Sequence, residues 1–157
     1  MPCSIETVFS LWTTPSGITS FFAPACSVGS APGEPYEIYF SPSAPVGSRG
    51  SEGCTIITLS PPTRLAFTWN APPSVPALRE AGEQTRVSVL LKRKGPSTTL
   101  VTLTHTGWGV GPDWDRCFEY FQEAWPVVLG RLEAVCAGGV MDWESGQVRA
   151  ASAEEES

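Results

Sequence analysis

The sequence is short of histidine, methionine and charge: it has one His and two Met, and only 17% of its residues are charged. Each shortage excludes something. With His105 alone, no multi-histidine metal site can form, and any Ser-His-Asp or Cys-His centre must be built on that one ring. The five cysteines (Cys3, Cys26, Cys54, Cys117 and Cys136) contain no CxxC pair and are odd in number. They read as reduced thiols of a cytoplasmic protein, acting as small hydrophobes rather than as a disulfide framework or metal site. No apolar run approaches the ~20 residues of a membrane-spanning helix, and no basic-then-apolar leader opens the chain. The net charge is −6, and basic residues are scattered except for Lys92-Arg93-Lys94. That triplet precedes Gly95-Pro96 and reads as a solvated hairpin tip, so the basic face a nucleic acid needs is missing. Gly47, Gly50 and Gly53 are followed by neither Lys-Ser/Thr nor a helix, and read as turn glycines rather than a phosphate loop.

What is present is a chain of 157 residues, 41% of them hydrophobic, enough for one domain with a sizeable core. Ser4 is placed to cap a helix whose apolar face is Ile5, Val8, Phe9 and Trp12. Thr14-Pro15 caps and opens a second short helix through Ile18, Phe21 and Phe22, ended by Pro24. From Tyr36 to Phe40 the period changes to two. Further strands follow at Cys54–Leu59, at Leu65–Trp69 after Pro61-Pro62, at Thr85–Lys92 and at Thr98–Thr106. Ala71–Gln84, with three prolines, is a long loop with one helical turn at Ala77–Ala81; loops of this length often serve as lids or binding elements. Asp113–Ala137 is the longest helix, about 37 Å at 1.5 Å per residue. Its face carries Trp114, Phe118, Phe121, Trp125, Val128, Leu132 and Val135. Pro126 lies inside it and predicts either a kink near Gln122–Trp125 or a helix split in two. Residues 1–137 form the expected domain; 138–157 form an expected disordered acidic tail, with Trp143 its one docking residue.

The words along the chain, and not only their order, resemble a known superfamily. Leu11-Trp12-Thr13-Thr14-Pro15 with Phe21-Phe22-Ala23-Pro24, then Pro35–Phe40, Pro61-Pro62 before Arg64–Trp69, Leu103–Trp108, and Trp114 with Tyr120-Phe121 and Trp125 are similar to SRPBCC (START-like) proteins. Within that superfamily they resemble homologues of the activator of the heat-shock protein 90 ATPase. The resemblance spans Ser4 to Leu132. It implies an α+β helix-grip fold: an antiparallel curved sheet wrapped on a long C-terminal helix, with two short helices near the start. It also implies a cytoplasmic protein of the stress-response kind. Family members usually begin with a strand, and here only Met1-Pro2-Cys3 stands in its place, so the first strand is expected to be missing or truncated.

The resemblance further implies an apolar cavity between sheet and helix, with no cofactor. The expected lining is aromatic: Phe21, Phe22, Tyr36, Phe40, Phe67, Trp69, Trp108, Trp114, Phe118, Phe121 and Trp125, with His105 as polar anchor. Core packing is the competing reading for each of these side chains, and an inward histidine satisfied by its neighbours competes for His105. Three functions remain open. The first is non-catalytic binding of a small apolar molecule; the second is a co-chaperone-like protein-interaction module, or a homodimer through an exposed sheet edge. The third is a polyketide cyclase- or hydrolase-like enzyme with His105 or Glu52 as acid–base group. Glu37, Asp113 and Asp115 are the other carboxylates near sheet or helix, and surface or first-turn roles suit them better.

Overall fold

The computed structural model describes residues 1–150. Ser4 caps α1 (Ile5–Thr13), its hydroxyl accepting the Thr7 amide at 3.2 Å. Thr14 caps α2 (Pro15–Phe21) in the same way through Gly17, with Pro15 in the first turn. Gly17 is obligatory for a second reason. A Cβ there would stand 2.4 Å from the Ser10 carbonyl oxygen, so only glycine lets the two helices meet this closely. Ile5, Val8 and Trp12 of α1 are buried together with Ile18 and Phe21 of α2.

The chain then forms a ribbon of β1 (Ala25–Val28) and β2 (Tyr36–Tyr39), antiparallel with Cys26 opposite Ile38. β1 was not expected; four residues with no alternation of burial leave no period to read. A four-stranded antiparallel sheet follows in the order β3 (Ile56–Ser60), β4 (Arg64–Asn70), β5 (Gln84–Gly95), β6 (Thr98–Thr106). The ribbon is stitched to its β3 edge: Gly33 donates to the Ile56 carbonyl, Ile56 to Glu34 and Tyr36 to Cys54, at 2.8 to 2.9 Å. At the β6 edge, Met1 and Thr99 exchange both backbone bonds (2.8 and 2.9 Å), and the Thr99 hydroxyl donates to Cys3. Met1-Pro2-Cys3 forms no strand of its own but covers one end of that edge. The open edge narrows accordingly: beyond Thr99, β6 has no second strand neighbour among the described residues.

A short helix, α3 (Pro76–Glu80), interrupts the long loop before β5. The last long element is α4 (Pro112–Cys136). It runs unbroken through Pro126, so the split-helix alternative does not form. Its buried residues are Cys117, Phe121, Trp125, Val128 and Leu132, which face the sheet and the α1–α2 pair in one apolar core. Phe118 departs from the expected face. It is 42% exposed, because at three residues before Phe121 it lies one step round the helix, where it meets Trp108 edge-on. The arrangement is the α+β helix-grip fold.

Residues expected as a disordered tail contain a hairpin, β7 (Val140–Asp142) with β8 (Gln147–Arg149). Trp143 at its turn docks the hairpin, its indole N–H donating to the Thr19 carbonyl of α2 at 2.9 Å and its ring lying under the Arg131 guanidinium. Gly138 ends α4 with φ 99°, a conformation natural only to glycine, which turns the chain back toward the helix. Glu154-Glu155-Glu156, the acidic end of that expected tail, lies outside the described residues.

Pro126 has no N–H to give the Gln122 carbonyl, so Pro126→Ala is expected to raise stability by about 1–3 kcal/mol. Urea denaturation checks this; an unchanged or lower midpoint would show that the proline is accommodated without cost.

Candidate functional site

The sheet and α4 meet through packed aromatic rings. Trp69 of β4 lies 5.4 Å from Trp125 of α4, and Phe22 backs both at 5.9 and 6.1 Å. Phe121 stacks on Trp125 at 6.0 Å. These contacts occupy the space directly between sheet and helix. Two grooves open on the flanks of α4. One groove, about 240 Å³, runs between α4 and the loops around Gly50 and Pro72-Pro73; Phe40, Trp69, Tyr120, Ala124, Trp125 and Val127 supply most of its apolar wall. The other, about 250 Å³, lies between α4 and the β6 edge, against Leu103, His105, Trp108, Phe118, Pro126 and Leu129. Phe121 and Trp125 line both.

His105 sits on the inward face of β6 with Val101 and Leu103, as its strand phase predicts. Its ring is enclosed by Trp108 at 4.2 Å and Phe121 at 4.9 Å. The Trp125 indole N–H, which can only donate, points at Nδ1 from 3.0 Å. Nδ1 must therefore be unprotonated and Nε2 carries the hydrogen, 2.6 Å from the Thr85 hydroxyl. That hydroxyl in turn donates to the Trp69 carbonyl. Burial pushes the ring pKa down to about 4, so it is neutral at pH 7. Both nitrogens are engaged by protein, which leaves neither for a guest or for proton transfer without breaking the chain of bonds.

The charged groups of the first groove were not legible in the sequence. Arg79, on α3, donates to the carbonyls of Gly47, Ala71 and Gly50 at 2.7 to 2.8 Å and to Glu52 at 3.1 Å. Glu52 also accepts from the backbone amides of Gly47, Arg49 and Gly50. The pair ties the lid loop to the 47–52 turn, and four donors hold the Glu52 carboxylate in this structural role. Arg131, on α4, is half-buried at the opposite rim and stacks on Trp143, 5.5 Å from the ring centroid. Two thiols are kept protonated by their surroundings: burial pushes Cys54 up to about 12 and Cys117 to about 11. Among the described residues no cluster of His, Cys, Asp or Glu could hold a metal ion.

A family model, the activator of Hsp90 ATPase homolog 1-like protein, matches residues 2–137. The chain belongs to this family. Solved structures with the same architecture include the protein MLL2253 from Mesorhizobium loti, at 22% identity and TM-score 0.65, covering 85% of this chain and 88% of that one. The Aha1 dimer from Colwellia psychrerythraea follows at 19% identity and TM-score 0.62, covering 87% and 90%. The AHSA1-like protein RHE_CH02687 from Rhizobium etli has 26% identity and TM-score 0.57, covering 88% and 78%. No curated protein matches the sequence at comparable significance.

In this AHSA1-like chain the expected binding residues separate into two groups. Phe21, Phe22, Tyr36 and Phe67 are 0 to 1% exposed and belong to the core; Tyr36 stacks on Phe67 at 4.2 Å and donates its hydroxyl proton to the Trp12 carbonyl. Trp114 packs partly on the core and borders neither groove, its indole lying where a side chain on Gly109 would have to go. Phe40, Trp69, His105, Trp108, Phe118, Phe121 and Trp125 border the grooves. Asn70, Arg79, Val127 and Arg131 are lining residues that no periodicity or motif singled out, and Tyr120 entered the sequence reading only as part of a family word and not as a binding residue.

The folded-state pKa of His105 lies below the ordinary 6.5, so the unfolded chain takes up the proton first as pH falls. Its contribution is intact above about pH 6.5 and is lost progressively toward pH 4. The stability difference between the unaltered chain and His105→Gln should shrink across that window, by about 3 kcal/mol at most. Denaturation at a series of pH values measures it; a flat difference would mean that the ring titrates as if in water.

Proposed function

We propose that this AHSA1-like protein binds a small hydrophobic molecule, without catalysis, in the groove between α4 and the lid loop. The observation that carries the reading is the exposed apolar rim of that groove. Phe40 is 41% exposed, Tyr120 45% and Val127 53%, all around a concavity floored by Trp69 and Trp125. Single exposed hydrophobes are ordinary, but a cluster of them lining a concave surface marks a binding region. The engaged state of His105 and Glu52 favours binding over the cyclase or hydrolase alternative. The unpaired cysteines, two of them buried, support a reducing cytoplasmic setting.

A second reading, a protein-interaction module, draws on the outer face of the sheet. There Leu90 and Leu100 are 52% and 47% exposed, a diagonal pair offset by two residues in the β5–β6 register. The Colwellia psychrerythraea relative was solved as a dimer, which makes a second copy the natural first partner to look for. Light scattering at rising concentration tests this, and a monomer throughout would reject self-association by that face.

The neutral dye N-phenyl-1-naphthylamine should brighten on binding the purified protein. Val127→Glu should weaken it by about tenfold, roughly 1.4 kcal/mol. Ala124→Trp, which fills the groove, should do the same. Absence of binding, or affinity indifferent to both substitutions, would sink the groove as the site.

A further inference from the structure

We infer that the guest of this groove is a small carboxylic acid with an apolar body, its carboxylate held by Arg131. The inference rests on the binding reading above and adds a head group to it. The donors along the wall are unequally committed. Asn70 spends its amide on the Gly50 and Glu52 carbonyls, and Arg79 spends its guanidinium on three carbonyls and on Glu52. Arg131 has neither a hydrogen-bond acceptor nor a carboxylate partner among the described residues, although its guanidinium carries five N–H donors. Its guanidinium lies over the face of Trp143, which covers one side of the plane and takes none of its N–H bonds. Partial burial disfavours its charge, as the lowered pKa reflects. A half-buried cation with unused donors in the wall of an apolar groove is complementary to an anion, and the planar fork fits a carboxylate with two parallel bonds.

Size follows from volume. A dry cavity of about 150 Å³ holds benzene, so the roughly 240 Å³ here suits a body of about two fused rings or an alkyl chain of comparable bulk. The net charge of −6 opposes an approaching anion at long range. At physiological salt that field is screened within about 8 Å, so the contact with Arg131 governs.

The matched pair 2-naphthoate and 2-naphthamide differs only in the head group, and isothermal titration of the full chain with each decides the matter. The acid should bind about tenfold more tightly, and Arg131→Gln should bring the two within about twofold by weakening the acid alone. Equal binding of acid and amide, or a preference that survives Arg131→Gln, would overturn the carboxylate assignment and leave the groove standing. Failure of both to bind would remove the groove reading and this inference together. If Arg131→Gln does not fold, the comparison in the unaltered chain still decides, since it needs no variant.

Discussion

The structure hangs on Trp125. Its ring is pressed between Trp69 and Phe121 with Phe22 behind, while its indole N–H reaches past them to Nδ1 of His105. One side chain thus ties α4 to β4 by ring packing and to β6 by a hydrogen bond. Ring contacts alone tolerate sliding; the bond fixes depth and rotation, because a buried indole donor left without an acceptor is costly. The continuation through Thr85 to the Trp69 carbonyl closes a loop of contacts that begins and ends on the same pair of tryptophans. Helix and sheet are held in one register, and both grooves take their shape from it.

Binding and packing are therefore not separable in this fold. The same aromatic set that fills the interface also supplies the floor of each groove, and only rings at the margin, such as Phe40 and Tyr120, are free to serve a guest alone. The lid loop adds a second constraint of a different kind. Besides its buried Ala71, Pro72, Val75 and Leu78, it is held by the Arg79 guanidinium across four oxygens. Directional bonds suit a loop that must define an opening, since they fix its position without closing the space beside it.

Much of the architecture was legible in the residues. Ser4, Thr14-Pro15 and the two-residue period after Tyr36 announce their elements through local chemistry, and α4 through its helical spacing. β1 and the terminal hairpin were not, because strands of three or four residues hold their shape through partners distant in sequence. The aromatic stripe of α4 was readable, but the division into core and groove was not. Phe118 and Phe121 differ by three positions, and only the tilt of the helix on the sheet decides which is covered. Arg79 and Arg131 carried no signal at all: an isolated arginine in a loop or helix reads as solvated until its neighbours are known.

The partition between the two grooves is made of side chains rather than backbone. Phe121 and Trp125 border both spaces, so the wall between the two clefts is only as thick as a pair of aromatic side chains, and the bond from Trp125 to His105 keeps one of them in place.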